Sequence, residues 1–265
     1  MMESNATSYG RPSVSVIVTT FNRVKLLAET LDSIFAQTYT GFEIIVVDNM
    51  SEDGTKEYIA DLKESCVRYF RNPNNGVIAV NRNYGIEQSQ ARYIAFCDDD
   101  DLWLSDKLNQ QISLLEGNLK VAMCYTNAES FDGNRTINDR MIKRRVQQNH
   151  FFQLLRGNFI PNSSVVVRRQ VFNELGLLTI DGTLREDYQM WLRISTRYPI
   201  QGLDRSLIRY RVHLSNVAGN RSAETLRAIK TLKSSAHLLG ISWLWLEPNL
   251  AYQWLKYCYY QITNR

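Results

Sequence analysis

The chain has 265 residues, 44% of them hydrophobic, which is enough to bury one large α/β core or two small ones. Its net charge of +4 lies within residues 221–265, and the balanced remainder argues against a nucleic-acid-binding protein with a basic face. A polar N-terminus, the lack of an apolar run of about 18 residues and four cysteines without a CxxC pair argue against secretion and membrane spanning, and favour a cytoplasmic protein with free thiols.

Residues 13–126 are predicted to alternate strands with helices. Apolar runs such as residues 14–18 and 44–47 lack regular polar alternation, which is typical of parallel strands covered by helices on both faces. In such a sheet, ligands bind at the carboxyl ends of the strands. The predicted strands are Val14–Thr20, Phe42–Asp48, Val67–Phe70, Tyr93–Cys97 and Val121–Tyr125, and the predicted helices are Leu26–Gln37, Gly54–Glu64, Ile78–Gln88 and Lys107–Leu115.

The pattern becomes less regular after residue 126. Residues 127–148 are polar and basic, and they are predicted to form either a solvated linker or a lid over a phosphate-bearing ligand. Beyond them, strands are predicted at 164–168 and 201–211, helices at 170–175 and 188–197, and further helices close the chain.

Four consecutive aspartates, Asp98 to Asp101, follow the apolar run of residues 93–97. Adjacent carboxylates repel each other by roughly 1 to 4 kcal/mol per pair, so a chain that keeps them together usually offers them to a divalent cation. Capping of the next helix, by Asp101 or Ser105, is the alternative, but it explains one acid and not four. The run therefore predicts a metal site at a strand end.

The last 45 residues combine six basic side chains with seven aromatic ones, from Trp243 to Tyr260. Aromatic rings beside lysine and arginine are typical of a membrane–water interface, and peripheral membrane contact is one prediction. Leu246, Leu250 and Tyr257 lie near helical spacing, so a helix that packs on the core or in a homodimer is the other.

Five motifs in order resemble those of family 2 glycosyltransferases with the GT-A fold, over about residues 13–217. They are Val14–Arg23, Val46–Thr55, Asn75–Gly85, Asp98–Leu108 and Arg185–Arg193. The resemblance implies a mostly parallel central sheet flanked by helices. It divides the chain into a disordered N-terminus (1–12), a nucleotide-sugar-binding subdomain (13–126), an acceptor-binding subdomain (127–217) and a helical tail (218–265).

The resemblance also implies a donor site. Asp98 and Asp100 would hold Mn²⁺ or Mg²⁺ on the diphosphate of a UDP-sugar, with His213 as a further metal or phosphate ligand; a surface histidine is the alternative for His213. Asp98 and Asp99 would also contact the nucleotide. The base would lie between Thr19 and Phe21, and the remaining predicted contacts are Asn22, Asp48 at the base N3 position, and Arg82 at the base or phosphate.

In the same way, Asp187 is predicted to be the general base that activates an acceptor hydroxyl, and Glu186 to orient a neighbour. A single base opposite the leaving group implies inversion, so that an α-linked donor such as UDP-Glc or UDP-Gal gives a β-glycoside. The acceptor is expected to be a saccharide, with a polyprenyl diphosphate carrier suggested by the basic loop and tail, in O-antigen or capsule synthesis. Two acids in the first turn of a helix are also favourable without any catalytic role.

Two other functions remain open at this point. A nucleotidyltransferase also uses a doubly wound sheet and acidic metal ligands, although no glycine-rich loop follows the first strand here. A noncatalytic nucleotide-binding module would use Asp48 and the acidic run as a magnesium site, but it leaves residues 127–217 without a role.

Overall fold

The computed structural model describes residues 12–133, 135–139, 150–212 and 221–263. The first half alternates strands and helices, and it is followed by shorter strands and then by helices. The strands are β1 Val14–Thr20, β2 Phe42–Asp48, β3 Val67–Arg71, β4 Tyr93–Asp98, β5 Leu102–Trp103, β6 Met123–Phe131, β7 Thr136–Asn138, β8 Val166–Arg168 and β9 Ile200–Arg211. The helices are α1 Val24–Phe35, α2 Thr55–Leu62, α3 Ile78–Gln88, α4 Lys107–Gly117, α5 His150–Leu155, α6 Gln170–Leu175, α7 Glu186–Arg197, α8 Arg221–Leu239 and α9 Trp243–Thr263.

The described strands form one sheet in the order β3-β2-β1-β4-β8-β6-β9-β5, with β7 paired to β6. Strands β3, β2, β1 and β4 are parallel. Strand β8 runs antiparallel to both β4 and β6, whereas β9 is parallel to β6. The predicted parallel sheet is therefore confirmed for the first four strands, and the second half of the sheet is mixed.

Both faces of the sheet are covered by apolar cores, which explains the missing polar alternation. Val16 and Val18 pack in the core beneath α1, whereas Ile17 between them packs in the core that contains Phe96 and Trp191. Successive side chains of a strand point to opposite faces, so an apolar run supplies both cores at once.

Helix α3 lies close against β1 because of a glycine. A Cβ atom added at Gly85 would lie 2.6 Å from Cγ2 of Ile17, so no larger residue fits without moving the helix. This close approach fixes α3, and with it Arg82, beside the end of β4.

The segment predicted as a linker or lid, residues 127–148, is partly strand in its described part, where β7 (Thr136–Asn138) also lies. Residues 127–131, which were predicted to begin a loop, continue β6 in parallel pairing with β9 up to Phe131. The partner strand lies about 80 residues further along the chain, so no local pattern reveals the pairing.

The C-terminal tail packs on the core. Helix α8 lies against α7, and α9 lies against α8, with Leu232 and Leu246 buried. The side-chain amide of Gln253 donates a hydrogen bond to the carbonyl of Arg156 at 2.6 Å. Of the two interpretations of the tail, packing therefore holds for its inner face. No helix in the described ranges is long and apolar enough to cross a membrane.

Lys107, at the start of α4, is completely buried. Its ammonium group lies 3.8 Å from the centre of the Trp103 ring and has no hydrogen-bond partner in the described part of the chain. Burial lowers the pKa of Lys107 to about 7, because the apolar surroundings disfavour its charge.

We expect Lys107→Met to stabilise the protein at pH 7 by about 1 to 3 kcal/mol, because it removes a poorly solvated amine. Between pH 7 and the ordinary lysine pKa of 10.5, the unfolded chain binds the proton that the folded chain has lost, so wild-type stability rises with pH. The variant should lose this part of the rise, up to about 1.4 kcal/mol per pH unit. Urea unfolding at pH 7 and pH 9 measures the stabilisation and its pH dependence, with Lys120→Met at an exposed position as the control. If the stability of Lys107→Met rose with pH as steeply as that of the wild type, the lowered pKa of Lys107 would be contradicted.

Candidate active site

The four consecutive aspartates at the end of β4 lie in different environments. Asp101 is 1% exposed, and its carboxylate accepts hydrogen bonds from the Ser163 hydroxyl at 2.5 Å and the Arg211 backbone N–H at 2.9 Å. Burial raises the pKa of the Asp101 carboxyl well above its usual range. The carboxylate of Asp101 therefore joins β9 and the turn before β8 to the end of β4, which is a structural role.

Asp99 and Asp100 share a contact with Arg23. The Arg23 guanidinium lies 3.2 Å from Asp99 and 3.0 Å from Asp100. Asp99, which is buried, also accepts a hydrogen bond from the Thr20 hydroxyl at 2.7 Å, and burial raises the pKa of its carboxyl to about 6. The loop after β1 is thus tied directly to the acidic run.

Asp98 belongs to a second ion-pair network, which is centred on Arg82. The buried Arg82 guanidinium contacts Asp98 Oδ1 at 2.6 Å and also pairs with Glu186. The same oxygen of Asp98 accepts a hydrogen bond from the Asn162 amide at 2.9 Å. Arg82 therefore links the end of β4 to the start of α7, and it does not line the cavity beside Thr19 and Phe21 where the base is predicted to lie. It lines the larger cavity together with Asp98, so its alternative contact with a phosphate stays a prediction.

The accessible carboxylates of the run are Asp98 and Asp100, whose side chains are 29% and 16% exposed. Carboxylate oxygens suit Mg²⁺ and Mn²⁺, and Mg²⁺ is commonly held by one or two carboxylates together with substrate phosphates. The described residues contain no group of three His, Cys, Asp or Glu that could hold a metal. Asp98 and Asp100 supply the type of oxygen ligand that such a cation needs, and a bound phosphate would have to supply further ligands. His213 lies outside the described residues.

A cavity of about 250 Å³ lies at the ends of β1 and β2. Thr19, Phe21 and Ile78 give it apolar walls, and Asn49 and Asp99 contribute polar groups. The Phe21 ring is 52% exposed, so one of its faces is free to stack on a planar ligand. The size and lining suit a nucleobase.

Asp48 has a different position from the one that the sequence predicts. Its side chain is fully buried and accepts hydrogen bonds from Ser51 and, at 2.5 Å, from the Tyr69 hydroxyl, while Arg71 Nε lies 3.7 Å away. Asn49, the next residue, lines the cavity instead. Alternation of side chains at the strand end could have indicated Asn49, which the sequence analysis missed.

Asn22 joins two loops. It has a left-handed backbone conformation, with φ of 51°, and its backbone N–H donates to Ser51 Oγ at 2.8 Å. Its side-chain oxygen accepts a hydrogen bond from the Glu52 N–H at 2.9 Å. Asn22 therefore fixes the loops after β1 and β2 around the smaller cavity without lining that cavity.

A larger cavity, of about 550 Å³, lies between the end of β4 and the start of α7. It contains Asp98, Arg82, Glu186 and Asp187, which the sequence analysis singled out. The Asp187 carboxylate accepts a hydrogen bond from the Asn158 amide at 2.9 Å. Burial raises the pKa of Glu186, although Arg82 opposes that shift. The cavity brings a carboxylate on α7 opposite the acidic end of β4.

Parallel strands that continue into a mixed half-sheet, with acidic residues at the end of β4, match the GT-A fold of glycosyltransferases. The chain belongs to glycosyl transferase family 2, whose model matches residues 15–176. It is therefore a glycosyltransferase, and both the resemblance and the predicted fold class are confirmed.

Two relatives from Escherichia coli match most of the chain. Both are UDP-Glc:alpha-D-GlcNAc-diphosphoundecaprenol beta-1,3-glucosyltransferases. WfaP is 30% identical over 223 residues, which cover 83% of this chain and 86% of WfaP. WfgD is 27% identical over 216 residues, which cover 81% of this chain and 83% of WfgD.

Two solved structures share the fold at low sequence identity. TarS 1-349 of S. aureus in complex with UDP-GlcNAc has a TM-score of 0.70 at 16% identity, over 89% of this chain and 69% of that one. The mannosyltransferase PcManGT from Pyrobaculum calidifontis, in complex with GDP-Man and Mn²⁺, has a TM-score of 0.68 at 19% identity, over 92% of this chain and 69% of that one.

Proposed function

We propose that this glycosyltransferase transfers a hexose, glucose or galactose, from a UDP-sugar to a hydroxyl of an acceptor sugar on a lipid diphosphate, with inversion, in the synthesis of a surface polysaccharide. The observation that carries the proposal is the lining of the larger cavity, which brings together Asp187 on α7 and Asp98 at the end of β4. The E. coli relatives, named for UDP-Glc and a diphosphoundecaprenol-linked acceptor, support the choice of substrates.

In the proposed donor site, the uracil ring lies in the smaller cavity against Phe21, with Thr19 beside it. Asn49 offers its side-chain amide to the base in place of the enclosed Asp48 carboxylate. Asp98 and Asp100 would hold Mn²⁺ or Mg²⁺ against the diphosphate. When bound, the cation supplies Lewis-acid stabilisation of the negative charge that develops on the leaving group.

The transfer itself depends on Asp187. The acceptor oxygen forms a bond to the anomeric carbon while the bond from that carbon to the phosphate oxygen breaks, so that UDP departs with the electron pair. Asp187 takes the hydroxyl proton as the new bond forms, and the hydrogen bond from Asn158 fixes the orientation of its carboxylate. Attack from the face opposite UDP converts an α-linked donor into a β-glycoside.

The proposal is tested by product analysis. The protein is incubated with Mn²⁺, a GlcNAc-diphosphate-lipid acceptor and, one at a time, UDP-Glc, UDP-Gal, UDP-GlcNAc and GDP-Man. We expect UDP release to match the formation of a β-linked disaccharide with UDP-Glc or UDP-Gal. In a parallel reaction with UTP and a sugar 1-phosphate, release of pyrophosphate would indicate a nucleotidyltransferase. The absence of a disaccharide with every sugar nucleotide would refute the proposal.

We also propose that the outer face of α9 rests on the membrane surface that carries the acceptor. Tyr252, Leu255 and Tyr259 are 53%, 71% and 62% exposed along this helix, beside the exposed Lys256. Flotation with anionic vesicles should recover the wild-type protein, and Leu255→Glu should reduce recovery severalfold, whereas Leu238→Glu on α8 should not. Equal recovery of all three proteins would count against membrane contact.

A further inference from the structure

Two arginines that line the larger cavity form no ion pair with any residue that the structure describes. Arg185 directly precedes α7, and Arg227 lies on α8. Neither guanidinium has a carboxylate within 4.0 Å in the described residues. Both side chains are accessible from solvent, and Arg227 is the more exposed of the two.

The two arginines are connected through one buried residue. The backbone N–H of Arg185 donates a hydrogen bond to the hydroxyl oxygen of Thr231 at 2.9 Å. The same hydroxyl donates to the carbonyl of Arg227 at 2.8 Å, and Thr231 is completely buried. The packing of α8 against α7 therefore fixes the two arginine backbones beside each other.

Of the three arginines in the cavity lining, these two have no carboxylate partner among the described residues and can therefore bind an anionic ligand. Arg82, the third arginine of the lining, is already paired with Asp98 and Glu186. Arg185 and Arg227 share the cavity lining with the carboxylates of Asp187 and Glu224. Guanidinium groups form strong paired hydrogen bonds with phosphate oxygens, so the two arginines suit a phosphate-bearing ligand.

We infer that Arg185 and Arg227 bind the phosphate groups that join the acceptor sugar to its carrier, an inference that rests on the proposed function. The diphosphate of the UDP-sugar donor is the other phosphate-bearing group that the two arginines could bind. The proposed donor site, however, is built from the ends of β1, β2 and β4, whereas Arg185 directly precedes α7 and Arg227 lies on α8. Both also lie beyond residues 15–176, the segment that matches the family model. Arg185 lies in the predicted acceptor-binding subdomain, and Arg227 lies on the tail helix α8, which packs against α7 of that subdomain.

Three acceptors that carry the same sugar test whether the arginines recognise the phosphate groups. One is linked to a lipid diphosphate, one to a lipid monophosphate, and one, an alkyl glycoside, to an uncharged alkyl chain. We expect Arg227→Gln and Arg185→Gln each to raise KM for the diphosphate acceptor about tenfold or more, with kcat little changed. KM for the UDP-sugar and for the alkyl glycoside should stay within about twofold of wild type, by the same reasoning. Glu224→Gln, which removes a negative charge from the lining, should lower KM for the diphosphate acceptor.

Lys233→Gln, an exposed change on the same helix, is the matched control and should leave every KM unchanged. A rise in KM for the UDP-sugar would assign the arginines to the donor and overturn the inference. An equal rise for the alkyl and diphosphate acceptors would also overturn it, because it would indicate a structural effect.

Calorimetry of the same acceptors, in the presence of UDP and Mn²⁺, gives a readout that does not need turnover. The inference predicts weaker binding of the diphosphate acceptor by Arg227→Gln than by wild type, and equal binding would overturn it. A wild-type protein that binds this acceptor but makes no disaccharide would refute the proposed function alone.

Discussion

Asp187→Asn should lower kcat by about 10²- to 10⁴-fold, which is the usual contribution of a positioned general base. The amide has nearly the same shape as the carboxylate, but it cannot take the acceptor proton. Asp187 lies in the larger cavity on α7, and the smaller cavity lies at the ends of β1 and β2, so binding of UDP should stay within about twofold. Initial rates with saturating donor and acceptor give kcat, and calorimetry gives the affinity for UDP.

The matched control for this change is Asp61→Asn, which alters an exposed aspartate on α2 that lines neither cavity. It should leave kcat and UDP affinity unchanged. If Asp187→Asn turned over as fast as this control, Asp187 would have no part in proton transfer. A loss of UDP binding in Asp187→Asn would indicate that the donor site extends to α7.

Arg82→Met should lower the free energy of unfolding by about 3 to 5 kcal/mol. Arg82 is buried between Asp98 and Glu186, and its removal leaves two carboxylates without their cation. Arg92→Met removes an exposed guanidinium from its pair with Glu116, and we expect it to cost about 1 kcal/mol or less. Urea unfolding of both variants at pH 7.5 measures the difference; equal losses would contradict the structural role of Arg82.

The loss in Arg82→Met should also depend on pH. Burial already raises the pKa of Glu186 above its ordinary value of 4.5, and removing Arg82 takes away the charge that opposes this shift. A carboxyl whose pKa is raised by folding binds its proton more tightly in the folded chain, so stability increases as the pH falls towards that pKa. The deficit relative to wild type should therefore be smaller at pH 5.5 than at pH 7.5, and a larger deficit at pH 5.5 would be the opposite of this expectation.

The first half of the fold was predictable because its information is local. Strands β1, β2 and β4 are apolar runs bounded by polar turns, and the two cores on either face of the sheet explain why they lack alternation. The acidic run was equally visible, since four carboxylates in sequence are rare without a partner. The continuation of β6 to Phe131 was not predictable, because its partner β9 is distant in the sequence.

The positions of individual site residues could be predicted only in part. The sequence places Asp98 to Asp101 at one strand end, but their different partners come from β9, from the loop after β1 and from α3. In the same way, Asp48 was assigned to the base while Asn49 lines the cavity. Tertiary contacts decide which oxygen faces a ligand, and a single sequence does not reveal those contacts.

Arg185 and Arg227 were missed for a related reason. Arg185 lies in a motif that the resemblance identified, but the roles implied for that motif belong to the two acids that follow Arg185. Arg227 lies on a helix with no motif, and only the packing of α8 on α7 brings it to the cavity.

The central claim is that Asp98 and Asp100 hold a divalent cation on the diphosphate of the donor. Calorimetric titration of UDP into the wild-type protein with Mn²⁺, with EDTA, and into Asp100→Asn with Mn²⁺ tests it most directly. We expect EDTA and Asp100→Asn each to weaken UDP binding about tenfold or more, because both remove the same link between protein and diphosphate. UDP affinity that is equal in all three titrations would contradict it.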